Sequence, residues 1–313
     1  MITEKILLNQ AVYYAPRGEA RLILLGNIIL HSFLSPFDKL IGIIGDSGSG
    51  KSLLIRGIFP GLNLTNDDEG VYRRPLPLLE DFERNSFYEF IYHVDIRFEM
   101  AFTPIYLLAE AILRALDKDK KVVVEHFEVI YPYLKRNADI LIGIGEEVII
   151  VRPNIFGPEP QEIVDIVFKS LPYRLQAHTA EDLTGLILEE YGYSRLIEAH
   201  SDVKHGFVIS LKEKPLLDIS FIEKRVREYI TKNLPVSYYN HQHIKIGEKI
   251  IRCTGPRLHV GSTGEIKEFF LFPEYIYSPS ENCYLLVGFV SEEEYNKILK
   301  KLGEKGKKYD TDR

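Results

Sequence analysis

The sequence predicts an α/β domain with a parallel sheet, followed by an α+β domain. Three observations carry that expectation. Short apolar runs alternate with helical spacings through the first half, as strands alternate with helices around a parallel sheet. One of these runs, KLIGIIG, leads directly into the glycine-rich stretch GDSGSGKS. The texture then changes at Pro153-Asn-Ile-Phe-Gly-Pro-Glu-Pro160, where three prolines and a glycine punctuate the chain. A boundary there gives domains of residues 1–154 and 155–313, consistent with a chain of 313 residues exceeding usual single-domain size.

Taken in order, residues 11–34 read as a β-hairpin with Gly26-Asn27 at its turn. KLIGIIG is a buried strand, and SLLIRGIF follows it with helical spacing of Leu53, Leu54, Ile55 and Ile58. Residues 61–85 are polar and proline-bearing and read as a long connection. SFYEFIYHVDIRF alternates like a strand, and Thr103-Pro104 opens a helix running to Leu116. KVVVEHFEVI, ADILIGI and EEVIIVRP read as further strands, with YPYLKRN a helical turn between the first two. Past the boundary come helices over Gln161–Leu171 and Ala180–Tyr191, the strand HGFVISL, an amphipathic helix over Ile219–Asn233 and a β-rich stretch to about Val290. The Lys-rich end, KKLGEKGKKYDTDR, reads as a solvated, frayed terminus.

Composition narrows the function classes. Hydrophobic residues make up 45% and charged residues 27%, which suffices for a core. A net charge of −6 offers no overall basic field for nucleic acid. Two cysteines, Cys253 and Cys283, make no disulfide framework and fit a reducing, cytoplasmic setting. The start lacks the pattern of a signal peptide, and Leu22–Leu34 is too short to span a bilayer. No membrane association is expected.

Gly45, Asp46, Ser47, Gly48, Ser49, Gly50, Lys51 and Ser52 satisfy G-x-x-x-x-G-K-[ST] without a mismatch. The motif stands after a strand and opens a helix, where backbone N–H groups and the positive helix end favour phosphate. Lys51 is expected to reach the β- and γ-phosphates, and the Ser52 hydroxyl to ligate Mg²⁺. ATP or GTP with magnesium is the expected ligand. The absence of an N-K-x-D segment disfavours GTP, and the absence of L-S-G-G-Q disfavours an ABC-type ATPase.

IGIIGDSGSGKS and VVVEHFEVIYPYLKRNADILIGI resemble the opening and second signature strand of the uridine kinase and phosphoribulokinase group of P-loop kinases. That resemblance implies that Glu125 is the acid near magnesium. A carboxylate at the tip of a buried strand needs a cation or donor in any case. Asp95, ending the preceding strand, is the candidate to deprotonate a substrate hydroxyl. The sequence departs from the group in its lid: only Arg152 follows where an arginine-rich segment is expected.

HTAEDLTGLILEEYG, FIEKRVREYITKNLPV and RCTGPRLHVGSTGEI together resemble, in order, the second additional (editing) domain of alanyl- and threonyl-tRNA synthetases and related freestanding deacylases. The resemblance implies zinc held by His178, Asp182, Cys253 and His259. Asp182 stands where the family has histidine, and five residues rather than three separate Cys253 from His259. Alignment on His-Val instead puts Gly255 at the cysteine position, and His241 and His243 are alternative ligands. Independently, residues i and i+4 share a helix face, so His178 and Asp182 can grip one ion. Tyr238 and Tyr239 read as an exposed aromatic pair, and Arg73-Arg74 as a solvated pair.

The expected activity is ATP-dependent phosphotransfer or hydrolysis, with the second domain recognising an aminoacyl-tRNA, an amino acid or a related small molecule. Zinc-dependent deacylation of mischarged tRNA and non-catalytic nucleotide sensing stand as alternatives.

Overall fold

In the computed structural model, residues 10–16, 18–65 and 76–310 are described, and Arg73-Arg74 lie outside them. The chain divides into two compact units, residues 1–169 and 170–313.

The first unit is built on a six-stranded sheet. Its elements begin with β1 (Gln10–Tyr14), α1 (Glu19–Phe33), β2 (Leu40–Gly45) and α2 (Lys51–Ile58). Then come α3 (Pro77–Glu83), β3 (Ile91–Asp95), α4 (Ile96–Glu99), α5 (Ile105–Asp117), β4 (Lys121–Glu125) and α6 (Phe127–Leu134). The hairpin of β5 (Ile140–Ile144) and β6 (Glu147–Val151) completes it. The strand order is β1-β6-β5-β2-β4-β3. The four strands β5, β2, β4 and β3 pair in parallel, whereas β6 and β1 are antiparallel additions.

Every residue of β2 and β5 is buried, as befits strands covered on both faces. Alternation along the strands feeds two cores. Ile41, Ile43 and Val123 pack with Leu25, Ile29, Leu54 and Ile55 of α1 and α2. Leu40, Val122, Val124 and Leu141 pack with residues of α5 and α6, including Leu108, Ile112, Phe127 and Ile130. Parallel pairing sends the ends of β2, β3 and β4 to one edge of the sheet.

Residues 19–33 are helical, not the second arm of a hairpin. Leu22, Leu25, Gly26 and Ile29 are the buried positions of α1, a spacing of three and four that fits a helix. Gly26 is a contact residue rather than a turn. A Cβ there would lie 2.5 Å from the Leu54 carbonyl oxygen and 2.7 Å from Gly57 Cα. The two helices therefore cross backbone to backbone. Part of the expected long connection is also helical, as α3.

The expected pair of helices after Pro160 is one helix, α7 (Pro160–Glu190), which carries Pro172 in its interior. The division between units falls at Lys169–Ser170, within this helix rather than at the Pro153–Pro160 punctuation. Proline removes one backbone bond, but Leu171 before it and Ala177, Ala180 and Leu183 after it are buried, and that packing offsets the loss.

The second unit continues with β7 (Ile197–Val203), β8 (Gly206–Leu211), α8 (Ile219–Thr231), β9 (Val236–Asn240), β10 (His243–Ile246) and β11 (Lys249–Arg252). It ends with β12 (Phe270–Leu271), β13 (Ile276–Ser278), β14 (Cys283–Phe289) and α9 (Glu292–Asp310). The strands form an antiparallel sheet in the order β12-β14-β8-β7, with β13 also on β14, and a separate three-stranded sheet β11-β10-β9. One core joins Ala177, Ile187, Phe207, Ile222, Val226, Ile244 and Phe269 from both sheets and the two helices. The Lys-rich tail, expected to fray, extends α9 to Asp310. Among the described residues, no helix is long and apolar enough to cross a membrane.

Candidate functional site

The end of β2 runs straight into the loop of residues 46–50 and then into α2. The turn uses Gly48 at φ 75° and Gly50 at φ 99°, a left-handed region that favours glycine. Gly50 caps the helix whose first residue is Lys51. The Lys51 side chain is 7% exposed and folds back over the loop, donating from Nζ to the Asp46 carbonyl at 2.8 Å. Ser49 is buried and Ser52 is half-buried in the same turn.

Glu125, at the end of β4 beside Ile43 of β2, comes from the neighbouring strand to meet this ammonium. Its Oε2 stands 3.6 Å from Lys51 Nζ, and its Oε1 is 3.1 Å from His93 Nε2. Burial opposes ionisation of Glu125, yet the His93 hydrogen bond and the nearby Lys51 ammonium outweigh it, so its carboxyl titrates below the ordinary value of 4.5.

Asp95 is the register partner of Glu125 on β3. Its carboxylate caps α4, accepting from the Phe98 N–H at 3.1 Å. Asp95, Glu125 and His126 are all buried and offer ligand atoms within 4.8 Å of one another. His126 caps α6 with φ 58°, a strained conformation of the kind that clusters at functional sites. Two carboxylates beside an imidazole, with a lysine and a glycine-rich helix N-terminus at the same sheet edge, suit a divalent cation and an anion together.

Three residues of this region escaped the sequence reading. His93 lies two residues before Asp95, so strand alternation puts both on one face; that signal was available. His126 adjoins Glu125 in sequence. Arg97, on α4, reaches 3.7 Å from Asp46 Oδ1 and 3.5 Å from Glu128 Oε1. Arg152, the arginine in place of an arginine-rich lid, is not near this edge. It forms a bidentate pair with Asp38 at 2.6 and 2.8 Å, before the start of β2. A six-residue strand puts that about 20 Å from the loop end.

The second unit brings four distant donors to one point. His178 and Asp182 lie one turn apart on α7, Cys253 directly follows β11, and His259 is on the succeeding loop. His178 Nε2 is 3.1 Å from Cys253 Sγ, and Sγ is 3.7 Å from His259 Nε2. Asp182 Oδ2 is 2.9 Å from His259 Nε2 and 3.7 Å from His178 Nε2. All four ligand atoms fall within 4.8 Å of one another. Tetrahedral zinc with bonds of about 2.0–2.3 Å requires donor separations of about 3.3–3.6 Å, which the four distances bracket. The donor set of two imidazoles, a thiol and a carboxylate fits that ion.

The loop is tied to the helix by the Val260 N–H, which donates to Thr179 Oγ1 at 3.2 Å. Gly255, the other residue considered for the cysteine position, brings no side chain to the cluster. Its N–H donates to Cys253 Sγ at 3.3 Å, and a Cβ there would come within 2.7 Å of His178 Cε1. His241 and His243 do not join the cluster. They flank the β9–β10 turn, where His241 Nδ1 lies 3.3 Å from the Tyr238 hydroxyl and His243 Nδ1 lies 2.9 Å from Asn240 Oδ1. Tyr238 and Tyr239 are exposed on β9.

No family model matches the chain. No curated protein matches it either. Among solved structures, the pyridoxal-5'-phosphate dependent protein YhfS from Escherichia coli is 14% identical, over 89% of this chain and 76% of that chain, with a TM-score of 0.26. A likeness that shallow carries no argument about fold or function.

Proposed function

We propose that the first unit is a P-loop domain of the kinase-like type that binds ATP with Mg²⁺ and transfers or hydrolyses the terminal phosphate. The carrying observation is the convergence of Lys51, Glu125 and Asp95 at one sheet edge, beside the glycine loop and the N-terminus of α2. In this reading the loop's backbone N–H groups hold the phosphates, and Lys51 leaves Glu125 to meet them. Ser52 and Glu125 hold the magnesium ion, which neutralises charge on the phosphates when bound. Asp95 receives a proton from the acceptor hydroxyl or from water. His126 is a further candidate ligand for the cation.

The second unit, in the same reading, is a zinc-bearing domain like the editing module of alanyl- and threonyl-tRNA synthetases. It recognises an aminoacyl-tRNA, an amino acid or a related small molecule in a cytoplasmic setting. His178, Asp182, Cys253 and His259 hold the zinc. Four protein donors fill a tetrahedral ion, which supports a structural zinc over one that cleaves esters.

ADP release from Mg-ATP by the purified chain tests this reading, alone and with pools of nucleosides, amino acids and bulk tRNA. Turnover that disappears in Lys51→Ala while the fold persists supports it, and turnover unchanged in that variant refutes it. A second reading, a nucleotide-dependent sensor with negligible turnover, is favoured by Arg152 being engaged with Asp38 rather than placed near the loop. Tight ATP binding without turnover under every pool selects it.

A further inference from the structure

Glu125 presents its two oxygens to different partners, Oε1 to His93 and Oε2 to Lys51. The far side of the His93 ring is fixed as well. The Thr65 backbone N–H donates to His93 Nδ1 at 3.1 Å. A backbone amide can only donate, so Nδ1 is the acceptor nitrogen and the ring proton sits on Nε2. Nε2 in turn faces Glu125 Oε1 at 3.1 Å. The Thr65 hydroxyl stands 3.1 Å from the same Nδ1 and 3.4 Å from the His93 carbonyl oxygen, which closes the arrangement. Thr65, His93 and Glu125 are each 3% exposed or less, so water does not compete for these bonds.

We propose that His93 is a positioning residue for Glu125. Its Nε2–H holds Oε1, so that Oε2 alone is turned to a cation. That cation is Lys51 in the free protein and the divalent ion once phosphate draws Lys51 away. The proposal rests on the nucleotide-binding reading above. It assigns to an imidazole the part that outer-shell donors play for metal-ligating carboxylates, fixing which oxygen ligates. Thr65 holds the ring from the segment that follows α2, so the helix that begins at Lys51 and the acid that faces it are braced through one side chain.

Two substitutions in the full chain separate positioning from packing. His93→Gln places an amide N–H near the position of Nε2 and restores the donor to Glu125. His93→Asn places an acceptor near the position of Nδ1 and leaves Glu125 without its donor. Mn²⁺ affinity in the presence of ATP, read by electron paramagnetic resonance, is expected to fall roughly 10–100-fold in His93→Asn and to recover to within about threefold of the parent in His93→Gln. The KM for ATP should barely move while kcat falls with the metal affinity. The ¹⁵N spectrum of the parent should show His93 protonated at Nε2 at neutral pH. Equal losses in both variants, no loss in His93→Asn, or a proton on Nδ1 would each overturn the role of His93 while ATP binding stands. A parent protein that binds no ATP overturns the nucleotide reading itself, and the role of His93 with it.

Discussion

Lys51 Nζ and Glu125 Oε2 face each other across 3.6 Å with side chains 7% and 4% exposed, so the cation beside the glycine loop and the acid of the neighbouring strand are desolvated together. Burial alone would raise the Glu125 carboxyl, but the His93 hydrogen bond and the adjacent Lys51 ammonium bring it below 4.5 in the folded state. A depressed folded value contributes stability that is fully present above the unfolded value and lost as pH falls through the folded one. Glu125→Gln should therefore flatten the acid limb of stability below about pH 4.5, in denaturant unfolding measured from pH 7 to pH 3. Parallel acid limbs in parent and variant would remove Glu125 from this role. At pH 7 the variant should also cost up to about 3 kcal/mol, because it takes the carboxylate from a buried ammonium that keeps, among the described residues, only its Asp46 carbonyl bond.

Gly26 and Gly57 set the approach of α1 to α2. Gly26→Ala introduces a Cβ at 2.5 Å from the Leu54 carbonyl oxygen and must push the helices apart. A loss of about 1–3 kcal/mol is expected in thermal or denaturant unfolding. A neutral outcome would show that the two helices do not pack this closely.

The donor cluster of the second unit should take one zinc per chain, measured by metal analysis of the purified protein. Cobalt substitution should give the absorption of a thiolate-bearing tetrahedral site, and Cys253→Ser should abolish its thiolate band. Chelation should lower the melting temperature of the parent and leave that of Cys253→Ser unmoved. A protein free of metal, with equal melting temperatures before and after chelation, would identify the four donors as a hydrogen-bonded scaffold.

Gly255→Ala probes the same centre without replacing any of the four donors. The added methyl would lie 2.7 Å from His178 Cε1 and displace the ring from its donors. Zinc affinity is expected to fall by about 10-fold or more, in competition with a chromophoric chelator. Unaltered affinity would mean that the loop yields before the ring does.

Arg152 is expected to matter for the sheet and not for turnover. Its hydrogen bonds to Asp38 hold the guanidinium above its ordinary value against the opposing cost of burial. Arg152→Lys gives up the bidentate geometry and should lose about 1 kcal/mol of stability, tempered by partial exposure to solvent. ATP turnover at 25 °C should change little. A collapse of turnover in a well-folded variant would tie this arginine to the glycine loop.

Contiguous signals were legible in the chain itself. The glycine loop needs only eight neighbouring residues, and the strand before it and helix after it are marked by their own periodicity. Glu125 was visible as a charge at the end of an apolar run, and His178 with Asp182 as a helical pair. Failures came where one local pattern serves two structures. Gly26-Asn27 has the composition of a turn, yet it lies on a buried helix stripe because another helix needs the space of its missing side chain. Pro172 has the look of a helix end, yet burial on both sides carries α7 through it.

The sequence by itself determined the kinds of residues present: a glycine-rich G-x-x-x-x-G-K-S stretch, acids at strand ends and four residues of types that bind zinc. Which of them meet was decided by tertiary structure. Parallel register set Asp95 beside Glu125 and gave Glu125 its partners in His93 and Lys51. Folding of the loop after β11 onto α7 chose Cys253 over Gly255 and left His241 and His243 outside. The reason is physical. Residue type fixes what a side chain can bind, but burial and the distance to a partner far along the chain fix whether it does.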